Sequence, residues 1–406
     1  MEGVTIAVFW LAYVFSFHII LVNLGIYLGL MVPYLKYRAK KMGDNGLLRV
    51  SKNLMKFYAA TYALAGVFAT AFTVFLLSFY PFFLGLAGNI ALAPFAIAIL
   101  MIVLHFFSIS SYYYGWDRFK ESTHNFIGIL LAISALLIPL GFRSVFAFLN
   151  TPVGLYFDVT SEGIVPRLDL TEALTNPTLY PLYLKSLVAA ITVGALATGG
   201  YAAVKYFKAE DEEYKNALKL YTQKTVTIGL IGLIIMFFLG LWYTLSLRGV
   251  EYKFNNIFAP LGWSVGGGSA EFNVSWLFVL KMIFYIAQLV LVFQVYQAIK
   301  KAGFVNRGGA NKLLYAGLLG IATIALGELL NAFSQYPYFV ADVQSPPVEI
   351  PPQAAPYLLN VLNLANVNKL ATLTGVQLLT VGFMVFLSLS AVWFLYVIFK
   401  EFEKEV

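Results

Sequence analysis

The sequence predicts an all-α, polytopic membrane protein built as a bundle of nine transmembrane helices. Of its 406 residues, 60% are hydrophobic and 12% are charged, and the mean hydropathy is +0.78. Soluble domains carry about 25% charged residues, so this composition excludes an ordinary soluble domain. Crossing a bilayer takes about 20 apolar residues. Nine runs are long enough, near 6–34, 56–80, 90–114, 125–147, 182–206, 224–246, 274–298, 313–335 and 373–399.

These runs divide one membrane domain, residues 1–406, into three consecutive parts. Helices one to five lie within 1–206, helices six and seven within 224–298, and helices eight and nine within 313–399. Segments 148–181 and 336–372 hold most of the prolines and are expected to be turn-rich loops. The loop 247–273 contains a glycine-rich run, which is typical of a flexible connection. It lacks the Lys-Ser/Thr pair of a phosphate-binding loop.

The basic residues predict the orientation. Twenty of the 27 lysines and arginines fall on alternate loops and the C-terminal tail, four fall on the other side, and three lie in or near spans. By the positive-inside rule, the N-terminus is outside and the C-terminus is cytoplasmic, in the plasma membrane. The net charge of +7 is therefore topological, and no nucleic-acid partner is expected. The first run is itself a span, and no removable signal peptide is expected.

His18 lies in the middle of the first helix, at membrane depth. An imidazole nitrogen is a natural axial ligand of haem iron, and Gly25, two turns along, would let a macrocycle approach the backbone. The alternative is a hydrogen bond between helices. The chain has no cysteine, which excludes disulfides and thiolate metal sites.

A second set of polar residues lies on the third helix and at the start of the fourth. His105, Ser108 and Tyr112 are spaced to share one helix face. Such a stripe relays protons or holds helices together. His124 begins the next helix near the cytoplasmic surface, where we expect a solvated or headgroup-facing histidine.

Three further ionisable residues fall within the later helices, where burial is costly and indicates function. Lys185 begins the fifth helix and is expected to extend toward the outer interface. Lys281 and Glu328 lie deeper, in helices seven and eight, where they pair with each other or carry ions. The sequence contains no zinc-protease motif, nucleophile elbow, phosphate-binding loop or dinucleotide fingerprint. Hydrolysis and nucleotide-driven chemistry therefore have no support.

Several segments together resemble subunit I of cytochrome bd quinol oxidases. They are Phe17-His18-Ile19-Ile20-Leu21-Val22, Gly115-Trp116-Asp117-Arg118 with His124 six residues later, Asn150-Thr151-Pro152-Val153-Gly154, and Leu170 to Pro177. The match is nearly continuous from about 100 to 185 and extends more weakly over 8 to 240. Nine spans with an external N-terminus also fit that subunit.

The resemblance implies a high-spin haem ligand at His18, which is kept. At the place of the low-spin haem's histidine the chain has Lys185, and Met282 is one residue out of register with that haem's methionine. His105 replaces a proton-path glutamate. Glu328 substitutes for a ligand glutamate only if a gap is allowed. The external quinol-oxidising loop is reduced to residues 247–273.

This pattern resembles a shortened, ligand-poor paralogue of subunit I, of the type thought to serve some archaeal oxidases as second subunit. It implies a heterodimer in which a complete homologous subunit I carries most of the haem, with at most one haem in this chain. Small single-span subunits and lipid or quinone are further candidate partners. Two alternatives remain: a divergent catalytic subunit I holding one or two high-spin haems, and a cofactor-free proton or ion transporter. The small residues 194–200 predict a close-contact helix face, which we expect at the subunit interface.

Overall fold

The structure is a computed structural model that describes residues 2–90, 92–161, 163–341, 352, 355–356 and 361–404. Helices dominate these residues, and the connection between two of the helices contains a short β-hairpin. The helices are α1 (Glu2–Met42), α2 (Asn45–Phe79), α3 (Pro81–Ile90), α4 (Leu92–Tyr114), α5 (Glu121–Asn150), α6 (Leu170–Ala173), α7 (Leu179–Tyr206), α8 (Glu212–Ser246), α9 (Glu251–Phe258), α10 (Ser275–Ala302), α11 (Arg307–Phe333) and α12 (Thr374–Lys404). The hairpin pairs β1 (Leu155–Thr160) with β2 (Gly163–Leu168) in antiparallel register.

Within the described residues, nine helices are long and apolar enough to cross a membrane: α1, α2, α4, α5, α7, α8, α10, α11 and α12. Each predicted run falls in one of them, which confirms the predicted all-α, polytopic fold. The short connections 43–44, 115–120, 207–211 and 303–306 share one side of the bundle with most of the basic residues; we call it the basic face. The longer connections lie at the other end, the loop face.

Two spans begin well before their apolar runs. α2 begins at Asn45 rather than 56, and α8 begins at Glu212 rather than 224. Each is preceded by an aspartate, Asp44 or Asp211, whose carboxylate accepts a backbone N–H of the first turn. Hydropathy records only the apolar part of a helix, whereas these caps start the helix in the polar region beyond it.

The fifth span, α7, lies at the centre of the bundle and packs against α1, α5, α8 and α11. Its small residues allow this close approach. A Cβ added to Gly199 would overlap the Thr225 side chain, and one added to Gly200 would lie 2.7 Å from the Leu314 backbone. The predicted close-contact face therefore packs on helices of the same chain, and the expectation that it forms the subunit interface is wrong.

The loop face is more structured than the sequence predicts. Segment 148–181 contains the β-hairpin and α6, and segment 247–273 contains α9. The glycine-rich run folds back on α9, because the Asn255 amide oxygen accepts the Val265 N–H and that of Asn256 accepts the N–H groups of Glu271 and Phe272. Much of the predicted loop 336–372 lies outside the described residues.

Candidate functional site

Four cationic side chains and one carboxylate meet near the loop face. We call Arg143, Lys185, Lys253 and Lys281, around Glu328, the cation cluster. Arg143 lies seven residues before the end of α5, Glu328 five before the end of α11, and Lys185 and Lys281 each lie six after the starts of α7 and α10. At about 1.5 Å per residue, these four positions lie roughly 7–11 Å below the helix ends.

Glu328 forms an ion pair with Arg143, whereas the sequence left open a pair with Lys281 or a role in carrying ions. The Arg143 Nη2 to Glu328 Oε1 distance is 2.8 Å, and the two side chains are only 7% and 12% exposed. The salt bridge joins α5 to α11. Arg143 Nη1 is buried and has no hydrogen-bond partner in the described structure. The Lys281 side chain lies beside Gly327 of α11, with its Nζ 5.5 Å from the centre of the Phe278 ring.

Lys185 does not extend freely to the interface. Its Nζ lies 4.2 Å from the centre of the Tyr243 ring, a cation–π contact. The Tyr243 hydroxyl donates to Asn331 Oδ1 at 3.3 Å and accepts from Asn150 Nδ2 at 3.4 Å. The charges of all four other cluster members act on Lys185. The position that the resemblance assigns to a haem-ligating histidine thus holds an amine among three other cations.

Lys253 belongs to the short helix α9, and its side chain turns into the protein rather than toward solvent. It is 1% exposed and donates to the amide oxygens of Asn150, at 2.7 Å, and Asn331. Burial lowers the pKa of Lys253 to about 7; the charge of Glu328 opposes this shift and that of Arg143 adds to it. Nothing in the sequence pattern singled out Lys253, which is one of the four basic residues on the loop side. Its acceptor Asn150 begins the Asn150-Thr151-Pro152-Val153-Gly154 segment.

His18 forms a hydrogen bond between two helices, its Nδ1 lying 3.0 Å from the Ala65 carbonyl oxygen. A carbonyl only accepts, so Nδ1 carries the proton and Nε2 presents its lone pair. Histidines that bind metals are commonly oriented in this way, by donation from the other ring nitrogen. This one geometry is therefore compatible with both a helix-joining hydrogen bond and haem ligation by His18. Gly25 lies against Tyr58, whose ring carbon is 3.7 Å from the place of a glycine Cβ.

His105 is enclosed in a complete hydrogen-bond network. The Ser134 hydroxyl donates to the Leu131 carbonyl at 3.0 Å, so it accepts from His105 Nδ1, at 2.8 Å. His105 Nε2 then accepts from the Tyr58 hydroxyl, at 2.6 Å. This series of hydrogen bonds connects α2, α4 and α5 through a neutral imidazole. Ser108 is buried on the same helix.

His124 is buried, and the expectation that it faces solvent or headgroups is wrong. It is 1% exposed, and its Nε2 donates to the Tyr112 carbonyl at 3.0 Å. Nδ1 is therefore free to accept from Lys36 Nζ, 3.2 Å away. Lys36 also donates to the Trp116 carbonyl at 2.9 Å and lies 4.1 Å from the centre of its ring. The aromatic side chains of the Gly115-Trp116-Asp117-Arg118 region enclose a lysine that the sequence pattern did not single out.

Met282, the remaining candidate, lies on α10 and is partly buried. α10 packs against α8, α9 and α11. The described contacts place Lys281 beside α11 but do not bring Met282 to Lys185. Among the described residues, no group of three or more histidine, aspartate and glutamate side chains could hold a metal ion.

The fold and these sites define a multi-pass helical protein of the plasma membrane with ionisable groups held in its interior. A family model described as cytochrome bd terminal oxidase subunit I matches residues 6–249. The chain therefore belongs to the cytochrome bd terminal oxidase subunit I family.

Two relatives illustrate the likeness. A Bacillus subtilis (strain 168) protein that bears the name cytochrome bd menaquinol oxidase subunit I is 27% identical to this chain over 202 residues. The aligned part covers 49% of this chain and 44% of that protein, less than half its length. A chain in the structure of the bd oxidase from Geobacillus thermodenitrificans superposes with a TM-score of 0.78 at 16% identity, covering 100% of this chain and 99% of that one. At this identity the superposition establishes a shared fold.

The family implies haem, and the two expected positions differ in how well they fit it. His18 fits as an axial ligand, because its Nδ1 is held by Ala65 and its Nε2 is an acceptor. The Lys185 position does not fit, because an amine stands where the resemblance expects an imidazole, and this amine is held against the Tyr243 ring among three other cationic side chains. Glu328 is already paired with Arg143.

Proposed function

We propose that this chain is the haem-poor subunit of a membrane-bound cytochrome bd-type quinol:oxygen oxidoreductase, paired with a complete subunit I. The observation that carries the proposal is the cation cluster, which places Lys185, held against the Tyr243 ring, where the resemblance expects the histidine ligand of an electron-transferring haem. The bundle supplies the frame and the pairing surface, and the partner carries the low-spin haem and the oxygen chemistry. Related bundles can pair about a pseudo-twofold axis with cofactors in only one of them.

His18 supports one haem at most in this chain. When bound there, a haem supplies a redox-active iron, and the chain's own part is to hold His18 Nε2 toward it through the Nδ1–H bond to Ala65. This geometry also favours the second candidate, a divergent catalytic subunit I with a high-spin haem. The two functions differ in whether a second haem, and oxygen reduction, belong to this polypeptide.

The test is haem content assigned by substitution in the complex purified through a tag on this chain. His18→Gln keeps an N–H donor for Ala65 while removing the imidazole, so it separates ligation from helix packing. We expect it to remove one high-spin haem at most and to leave the low-spin spectrum unchanged. Lys185→Leu is the matched substitution at the other position, and we expect it to leave every haem signal unchanged.

Two results would contradict the proposal. One is a six-coordinate haem signal that depends on Lys185 or Met282. The other is full oxygen reduction by preparations containing this chain without a homologous partner. A preparation with no haem and no quinol oxidation would instead support a cofactor-free transporter.

We also propose that the N-terminus is external and the basic face cytoplasmic, as the distribution of lysine and arginine favours. The chain has no cysteine, so single cysteines introduced at Lys208 and Lys369 have no background. A membrane-impermeant maleimide should label Lys369→Cys in intact cells and Lys208→Cys only after permeabilisation. The reverse pattern would invert the topology.

A further inference from the structure

The cation cluster has more hydrogen-bond donors than the described protein supplies acceptors. Its formal charge is +3, from four cations against Glu328. Lys253 has two amide oxygens, and one side of Arg143 has the carboxylate. For Lys185 and Lys281 the described contacts are aromatic rings, and Arg143 Nη1 has no partner although its side chain is 7% exposed.

Within the described part of the chain these three donors have no oxygen acceptor, although the charge of Glu328 acts on both lysines. A charge or donor that is buried without a partner costs on the order of several kcal/mol, and a cation–π contact recovers only about 0.5–2 kcal/mol of this. Lys185 and Lys281 come from different helices, yet lie at the same distance from the helix starts. Each of the two lysine side chains keeps part of its surface exposed.

From this arrangement we propose that Lys185, Lys281 and Arg143 Nη1 form a binding site for a phosphate group, carried by an anionic phospholipid headgroup or by free phosphate. A phosphate offers several strong acceptor oxygens and one or two negative charges, which match donors arriving from different directions. Lys185 Nζ reaches the ring of Tyr243, only three residues from the end of α8. The site therefore lies just below headgroup depth, and a lipid phosphate would have to move only a short distance into the bundle to reach it.

This phosphate site needs no bound haem. It uses Lys185, which occupies the position where the resemblance expects a haem-ligating histidine. The inference rests on the proposed haem-poor role in one respect, since a haem at Lys185 would occupy the same space. The two ideas fail separately, because haem is read by absorbance and the phosphate site by binding.

The experiment uses the purified complex, delipidated in a neutral detergent. Its melting temperature is followed while inorganic phosphate, phosphatidylglycerol or phosphatidylcholine is added, since a ligand of the folded state raises the melting temperature with concentration. We expect saturable stabilisation by phosphate or phosphatidylglycerol. The double variant Lys185→Gln/Lys281→Gln should weaken the apparent affinity at least tenfold. Lys369→Gln, at an exposed lysine of the loop face, is the matched control and should bind as the wild type does.

Each outcome decides the matter. Stabilisation by phosphatidylglycerol alone assigns a lipid headgroup, and stabilisation by inorganic phosphate assigns the free anion; both support the site. No saturable effect from either ligand, or an equal effect in the double variant, overturns it. Size-exclusion elution shows that the double variant is folded, and native mass spectrometry of the same samples shows whether a bound lipid leaves with the two lysines.

Discussion

Gly200→Ala tests whether the centre of the bundle is held by direct backbone contact between α7 and α11. A Cβ on Gly200 would lie 2.7 Å from Leu314 Cα, and reciprocally a Cβ on Gly317 would lie 2.7 Å from Ala197 Cα. Ordinary contact begins at 3.4 Å, so the two helices would have to part by about 0.7 Å. A gap of this size forfeits a quarter to a half of the dispersion energy of the atom pairs it opens.

Overpacking of this kind typically costs about 1–3 kcal/mol, while replacing glycine by alanine in a helix returns up to about 1 kcal/mol. We therefore expect Gly200→Ala to lower the stability of the chain by about 1–2 kcal/mol. The matched control is Gly66→Ala, because nothing lies within 4 Å of its added Cβ and only the propensity gain remains. The assay is the fraction of monodisperse protein after heating in detergent. A Gly200→Ala protein that melts at or above the wild-type temperature would refute close backbone packing.

Three further predictions concern interior polar groups. Lys36→Met should destabilise the fold by about 1–3 kcal/mol, because it leaves buried acceptors unpaired. The control Lys52→Met removes an exposed ion pair with Asp117 and should change stability by at most about 1 kcal/mol. Equal melting temperatures for the two variants would contradict this prediction. Tyr58→Phe should cost about 1–3 kcal/mol by leaving the acceptor nitrogen of His105 without its donor, and a neutral result would show that the network is not closed. Lys253, protonated in the unfolded chain up to its ordinary pKa of 10.5, loses its proton near pH 7 when folded. Stability should therefore rise from pH 7 toward 10, and Lys253→Met should flatten this rise in a melting-temperature profile.

The number and order of the spans could be predicted, because a continuous apolar run of bilayer length is costly to leave in water and fits the hydrocarbon core of a membrane. Their polar ends could not, since α2 and α8 continue through charged residues once Asp44 or Asp211 has capped them. A cap of this kind was visible in the sequence, but hydropathy does not register it. The β-hairpin was hidden for a similar reason, because a turn-rich segment between spans has no strong period.

The interior partners were harder to predict, because they come from residues far apart in the chain. Arg143 and Glu328 are separated by 185 residues, and each has several helices to choose among. The positions of Glu328, Lys281 and Lys185 within apolar runs marked them as costly at membrane depth. Those positions gave no reason to prefer Arg143 as the partner of the carboxylate. His124 was misplaced because its position at a helix start resembles a surface site, whereas Lys36 approaches it from α1.

The two ends of the bundle give their interior lysines different kinds of partner. At the basic face, Lys36 has a carbonyl and an imidazole as acceptors, so its charge is satisfied by the chain itself. At the loop face, Lys185 and Lys281 have aromatic rings, which are weaker partners than oxygen acceptors. The contacts that fix the frame, such as Gly200 against Leu314, involve neither lysine. A shared fold at 16% identity is therefore compatible with a changed interior, since the packing that sets helix positions does not depend on the groups that would hold a cofactor.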